Sequence, residues 1–349
     1  MAERIESHTA QAARKAMQPS PRRPRIKVKL DRATALNSGR APALAMRHLN
    51  SFISLEPKVL RGDDRDAIHD LRVASRRLQQ ILDLLYPKPR TQKIRKLRRT
   101  IRRARRSLSV VRNCDVLLSH AERALSRKRL ARRDVWTVFR DYLIDRRDAS
   151  FRKAARKLGT LNLSSCFLRI KSLLDAIGPV PAVDEKLSDN ASGAPTLETR
   201  MIESLRKAWS SLHERLLESQ KESSPALHPV RIAAKRLRYL IEAMVALRVP
   251  GSKRVVNYLR QIQQHLGDWH DLEVLERVML EMVADTKFLA NRLPLAIEAE
   301  RLVLRNRRKK RKYEEEFLLM VKNAPEWVQM EEWIGSLLSL PQPSIHEEV

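Results

Sequence analysis

Residues 68–82 read IHDLRVASRRLQQIL, and residues 227–241 read LHPVRIAAKRLRYLI. The two align without a gap at an offset of 159: His69 against His228, Arg72 against Arg231, Ala74 against Ala233, Arg76 against Lys235, Arg77 against Arg236 and Leu78 against Leu237. Further on, SLSVVRNCDVL (107–117) matches HLGDWHDLEVL (265–275) at an offset of 158. Order as well as content recurs, so a duplicated helical unit is the economical reading. On a helix of about 100° per residue, Leu71, Ala74, Leu78, Ile81, Leu82 and Leu85 share one face of the first stretch. His69, Arg72 and Arg76 take the opposite face, with Arg77 at its margin. In the second stretch Val230, Ala233, Leu237, Leu240, Ile241 and Met244 form the apolar face. His228, Arg231 and Lys235 oppose them, flanked by Arg236 and Arg238. Each row holds a histidine followed at i+3 and i+7 by cations, with no acid among them. An ordinary solvated face would carry mixed signs and i,i+4 acid–base pairs.

Composition agrees with helices. Of 349 residues 43% are hydrophobic and only 5% aromatic, with 8 glycines. That mixture leaves few residues for strands and predicts an all-α protein. The 70 Lys and Arg face 41 Asp and Glu, a net charge of +29. Such an excess repels itself in a compact chain, so a polyanionic partner is expected. The densest patch, RTQKIRKLRRTIRRARRSLSVVR (90–112), carries 11 basic residues and no acid. On a helix Ile94, Leu97, Ile101, Ala104, Leu108 and Val111 make its buried stripe, and Arg95, Arg98, Arg99, Arg102 and Arg106 the opposite one. Arginine offers the planar two-pronged contact that phosphate oxygens accept.

The chain is expected to divide into a disordered basic arm (1–40), a first bundle (41–177), a linker (178–197), a second bundle (198–337) and a loose tail (338–349). The arm contains PSPRRPRIKVK (19–29), and the linker contains GPVPAVDEKLSDNASGAP (178–195). Both are too polar and proline-rich to bury a core. Asp64 or Asp66 is expected to cap the helix that bears His69, and Ser224-Pro225 or His228-Pro229 to open the one that bears His228. Both histidines would then stand near helix starts, where free N–H groups suit an anion. No apolar run is long enough for a membrane span or a signal peptide, so a cytoplasmic location is expected.

Cys114 and Cys166 lie far apart with no Cys-x-x-Cys pair, so neither a disulfide framework nor a zinc site is expected. His265 and His270-Asp271 carry a weak metal signal. Arg112 and Asn113 stand at the positions matching His270 and Asp271, so no metal is expected there. Met279 and Met282 read as core. There is no Gly-rich phosphate loop, no Gly-x-Ser-x-Gly and no nucleophile beside a base.

The motif His-x-x-Arg-Val/Ile-Ala-x-Arg/Lys-Arg-Leu, present twice and followed by a Leu-Gly-x-x-x-Asp element, resembles the CHAD domain, the conserved histidine α-helical domain. The resemblance covers roughly residues 41–335. It implies two four-helix bundles related by pseudo-twofold symmetry, with basic faces lining a cavity. It also implies binding of inorganic polyphosphate and, for some members, location on polyphosphate granules. Carried onto this chain it singles out His69, Arg72, Arg76 and Arg77, and His228, Arg231, Lys235, Arg236 and Arg238. Arg260 and the arginine stripe of 95–106 complete the candidate set. The chain departs from the pattern at Gln79, which matches Arg238, and at Ser109 and Asn113, which match Gly267 and Asp271. The loop after the third helix of the first half is therefore expected to differ. The Glu-x-Glu-x-Lys motif of the hydrolase domain often fused to this family is absent. A polyphosphate-binding protein without cofactor, metal or catalysis is the expectation. A nucleic-acid-binding module is its first rival and an enzyme of polyphosphate or triphosphate metabolism its second.

Overall fold

The computed structural model describes residues 39–62, 64–87, 89–127, 133–177, 195–221 and 227–339. The expected arm lies outside them apart from its last two residues, as do most of the linker and the tail. Every regular element among the described residues is a helix: α1 (Arg40–Arg61), α2 (Arg65–Leu85), α3 (Gln92–Ser107), α4 (Ser109–Leu125), α5 (Arg133–Gly159), α6 (Leu163–Asp175), α7 (Leu197–Lys221), α8 (Leu227–Ala246), α9 (Ser252–Val283), α10 (Thr286–Asn291), α11 (Leu293–Asn323) and α12 (Pro325–Leu338). The protein is all-α, as its composition predicts. None of these helices is long and apolar enough to cross a membrane.

The residues read as apolar stripes are the ones that pack. All six of the α8 stripe and all six of the 94–111 stripe are buried, as are Leu71, Ala74, Leu78, Ile81 and Leu82 of α2. Leu85 is partly buried against them. One continuous cluster joins α1, α2, α3, the start of α4, the end of α5, α6, α7, α8, α12, the first half of α9 and the end of α11. A second cluster joins Leu117 and Leu118 of α4, Val135, Phe139 and Leu143 of α5, the end of α9 and the start of α11. Both clusters draw on residues from each side of segment 178–194. Met279 and Met282 belong to the second. Cys114 and Cys166 are buried and unbonded, and burial pushes the Cys166 thiol up to about 11.

Asp64 is the cap of α2. Its Oδ1 accepts from the backbone N–H of Asp66 at 2.8 Å and of Ala67 at 2.9 Å. His69 is thus the fifth residue of α2, beyond the four free N–H groups, and is not at an anion-binding helix end. His228 is the second residue of α8; Ser224 and Pro225 lie outside the described residues.

After the third helix the two halves differ, with a single residue between the helices of the first. In the stretch that matches α3 and α4, α9 runs unbroken from Ser252 to Val283. In the first half the helix is interrupted only at Leu108, with φ −85° and ψ 5°. Arg72 closes the break by donating from Nη1 to the carbonyl of Arg105 (2.7 Å) and to Ser109 Oγ (2.9 Å).

A second device sits where α1 ends. Gly62, at φ +79°, turns its N–H onto the carbonyl of Val59 (3.1 Å). Its own carbonyl accepts from Arg147 Nη2 at 2.9 Å. Arg147 Nε also pairs at 2.7 Å with Asp115, whose side chain is fully buried. A Cβ at Gly62 would lie 2.4 Å from ring carbons of Phe151. Gly62→Ala is therefore expected to lose on the order of 2–4 kcal/mol in urea denaturation, combining a left-handed backbone with an overpacked contact. A loss below about 0.5 kcal/mol would show that Phe151 yields freely.

Candidate functional site

Helices α2, α3 and α8 form the walls of an open cavity of about 740 Å³. Arg76 of α2, Arg95, Arg98, Arg99, Arg102, Arg105 and Arg106 of α3, and Arg231, Lys235 and Arg236 of α8 line it, with Arg90 from the turn before α3. One acid, Asp83, is present, and Tyr239 is the one aromatic residue in the lining. Arg76 of the first row and Arg231 and Lys235 of the second therefore meet across a single space, because the apolar stripes behind them are buried in one shared cluster.

The cations within it differ in how they are held. Gln79 is buried; its Nε2 donates to the carbonyl of Arg98 (2.9 Å), and its Oε1 accepts from Arg105 Nη1 (2.5 Å). This neutral clamp aims a guanidinium without cancelling its charge. Asp83 takes Arg90 at 2.8 Å and pairs with Arg98. Arg76, Arg102, Arg231 and Lys235 make no hydrogen bond or ion pair within the described residues, and Arg231 Nε is buried without a partner. Buried donors are normally satisfied, which sets Arg231 Nε apart from Arg102, whose side chain is exposed.

Crowding is visible in the proton affinities. Burial, then the charges of Arg231, Arg76, Arg238 and Arg72, pull the Lys235 ammonium down to about 6. Burial and neighbouring arginines, Arg76 first, pull Arg72 and Arg105 down to about 10. Burial also lowers Arg231, against the pull of Asp271.

Of the candidate residues, Arg76, Arg95, Arg98, Arg99, Arg102, Arg106, Arg231, Lys235 and Arg236 line the cavity. Arg72 lies outside the lining and is committed to the helix break. Arg77 (3.2 Å), Arg238 and Arg260 (3.5 Å) converge on Glu242. His69 and His228 are exposed and also outside the lining; the His228 ring lies 5.2 Å from that of His270. Sequence reasoning missed Arg90, Arg105 and Gln79. Arg105 was within reach of it, since Arg98, Arg102 and Arg105 follow the same i, i+4, i+7 spacing. It also missed that Asp83 and Glu242, matched at the same offset of 159, end both rows with an acid.

The family model of the CHAD domain matches residues 43–280. The chain belongs to the CHAD domain family. A crystal structure of the CHAD domain from the plant Ricinus communis superposes with a TM-score of 0.55 at 22% identity, covering 94% of this chain and 99% of that one. No curated protein matches the sequence. The family match ends before α11 and α12, yet Phe317, Val321, Trp327 and Ile334 from these helices fill the main core of this CHAD protein.

Lys235 supplies a test of the crowding. A lysine whose folded value is depressed is neutral in the folded state above about 6 and charged in the unfolded state up to its ordinary value. The unfolded state then binds more protons, so stability rises with pH between these limits. Lys235→Met should raise the denaturation midpoint of the free protein most at pH 6, with the gain shrinking steadily towards pH 10. A gain independent of pH would mean that packing, not charge, is responsible.

Proposed function

We propose that this CHAD protein binds inorganic polyphosphate in the cavity between α2, α3 and α8. One observation carries the reading: 11 arginine and lysine side chains surround a single space that holds one carboxylate, and that carboxylate is already taken by two arginines. A chain of phosphates offers closely spaced oxygens on every unit, which matches arginine forks displayed on several sides. The resemblance stated from the motifs points to the same ligand. Binding is charge neutralisation by preoriented donors, and it requires no metal.

The role is binding rather than catalysis. With Asp83 tied to Arg90 and Arg98, the lining has no pair of carboxylates to hold a divalent ion over a phosphoryl group. A base-stacking interface is disfavoured by the same lining. Its one aromatic, Tyr239, is buried and has the Arg238 guanidinium over its ring at 4.4 Å, so it offers no platform for bases. A cytoplasmic protein that gathers on polyphosphate granules follows from this reading.

The deciding experiment is a competition. Labelled long-chain polyphosphate is displaced by unlabelled polyphosphate, RNA or DNA at equal charge, and polyphosphate should win by at least tenfold. Equal competition by RNA would favour a nucleic-acid module instead. Sustained phosphate release with magnesium or manganese would show an enzyme. The combined variant Arg76→Ala, Arg102→Ala, Arg231→Ala and Lys235→Ala should bind far more weakly and flatten the salt dependence, by about 0.9 in log–log slope per lost contact if the nucleic-acid value holds. Removing the exposed Arg152, Lys153, Arg156 and Lys157 of α5 is the control. If both variants bind alike, the cavity is not the site.

A further inference from the structure

A second basic groove lies apart from the cavity, and the two share no lining residue. His120 and Arg123 of α4, with Arg127 just beyond its end, form one wall. Arg305, Arg308, Lys309 and Lys312 of α11 form the other. Their i, i+3, i+4, i+7 spacing places these four on one helix face over about 10 Å. Between the walls lie the buried Leu272 and Leu275 of α9 and Leu302 of α11, with the partly buried Trp136 of α5. Among the described residues no Asp or Glu lines the groove. From this geometry we propose that the groove, of about 740 Å³, binds single-stranded nucleic acid, with phosphates on the two cationic walls and a base against Trp136.

The run RNRRKKRK (305–312) is divided by its surroundings. Arg307 and Lys310 turn to Glu276, at 2.7 and 3.7 Å. Arg305, Arg308, Lys309 and Lys312, which face the groove, are exposed and make no ion pair among the described residues. On the opposite wall Arg123 Nε donates to the carbonyl of Ser119 (3.1 Å), a contact that directs the guanidinium without cancelling its charge. The neighbouring acid of α4, Glu122, is taken by Arg65 at 3.2 Å. Burial, then the charges of Arg123 and Lys309, lower the His120 imidazole against the pull of Asp268, so both walls act on one space. A solvated face would mix signs and pair its cations.

Trp136 decides the class of ligand. It meets Phe139 edge-on, with ring centroids 6.2 Å apart, and among the described residues no guanidinium or ammonium covers its ring. Tyr239 in the cavity and Trp269 of α9 are covered, by Arg238 at 4.4 Å and Lys310 at 5.5 Å. An open aromatic ring beside a cationic track suits a single strand, whose backbone follows the charge while a base stacks whatever its identity. A bare phosphate chain would leave both the ring and the apolar floor unmatched. An anionic bilayer is met by apolar side chains that protrude into it, whereas these leucines are buried between the cationic walls.

The groove is independent of what the cavity binds. The full chain is titrated with labelled oligoadenylate of about 12 nucleotides, with a base-free deoxyribose phosphate oligomer of equal length, and with polyphosphate. The combined variant Arg305→Ala, Arg308→Ala and Lys312→Ala should weaken oligoadenylate at least tenfold and flatten its salt dependence by about 0.7 in log–log slope per lost contact. Its affinity for polyphosphate should be unchanged. The four-site cavity variant should do the reverse, losing polyphosphate and keeping oligoadenylate. Trp136→Leu should weaken oligoadenylate about tenfold and leave the base-free oligomer unaffected, a difference between two ligands of one variant that misfolding would not produce. Trp136→Phe should keep most of the oligoadenylate binding. If the base-free oligomer binds as tightly as oligoadenylate, or the groove variant weakens polyphosphate equally, the groove is a general anion surface and the proposal fails. Loss of binding to phosphatidylglycerol vesicles in the groove variant, with oligoadenylate unaffected, would make it a lipid contact instead.

Discussion

Mutual repulsion among Lys235, Arg72, Arg76, Arg105 and Arg231 is the constraint to which the packing around the cavity answers. Two unit charges about 8 Å apart repel by roughly 2 kcal/mol at an effective dielectric constant near 20. A handful of such pairs is comparable to the whole stability of a domain, about 5–15 kcal/mol. The groups respond in two ways. The Lys235 ammonium can give up its proton, and its value near 6 shows that it does so readily. The guanidinium groups cannot, and two of them are held by neutral acceptors. Arg72 rests on a backbone carbonyl and a serine hydroxyl, and Arg105 on the Gln79 amide. These contacts fix direction while leaving the charge available. For these two donors the orientation is settled in the free protein, which lowers the entropy lost when a ligand arrives.

The acids complete the arrangement by their position. Asp83 and Glu242 stand seven residues beyond Arg76 and Lys235, about two turns along their helices. Asp83 holds Arg90 and Arg98 at one end of the cavity. Glu242, with a side chain only 10% exposed, gathers Arg77, Arg238 and Arg260. A buried carboxylate among several cations stabilises their packing only because each contact is also a hydrogen bond or close ion pair. Charge is thus neutralised at the ends of the two rows and left open between them.

Much of this was legible in the sequence because a helix converts spacing into direction. The apolar stripes of 68–85, 94–111 and 230–244 become core, and Arg76, Arg231, Lys235 and most of the α3 arginines opposite them reach a common space. Other features depend on which helices meet. That Arg77 of one half would turn to Glu242 of the other cannot be read from either helix alone. Arg72 and Arg231 occupy matched places in one motif, and only the break at Leu108 distinguishes them. Gln79 looked like a lost cation beside Arg238. In the fold it is the residue that aims Arg105, a role visible only once α2 and α3 are in contact. The histidines that identify the family lie outside the cavity, so a motif shared by both halves marked the helices rather than the ligand contacts.

The differences between the halves follow one from another. Where α3 and α4 part at Leu108, the carbonyl of Arg105 is released from its helical partner, and Arg72 takes it. Where α9 runs on through Gly267, no carbonyl is released, so Arg231 has nothing equivalent to hold and keeps a buried Nε unpaired. One turn further along, Arg112 of the first half gives way to His270, removing a fixed positive charge beside α8. The cavity is therefore unequal in kind on its two sides. Around Arg72 and Arg105 the donors are braced by the protein, and around Arg231 and Lys235 they have no anchor among the described residues. A phosphate oxygen that reaches Arg231 satisfies a donor the fold leaves unsatisfied, and it raises the proton affinity of Lys235 in the same step. Binding on that side should therefore draw a proton from solution near neutral pH, coupling charge neutralisation to the one group in the cavity whose charge can change there.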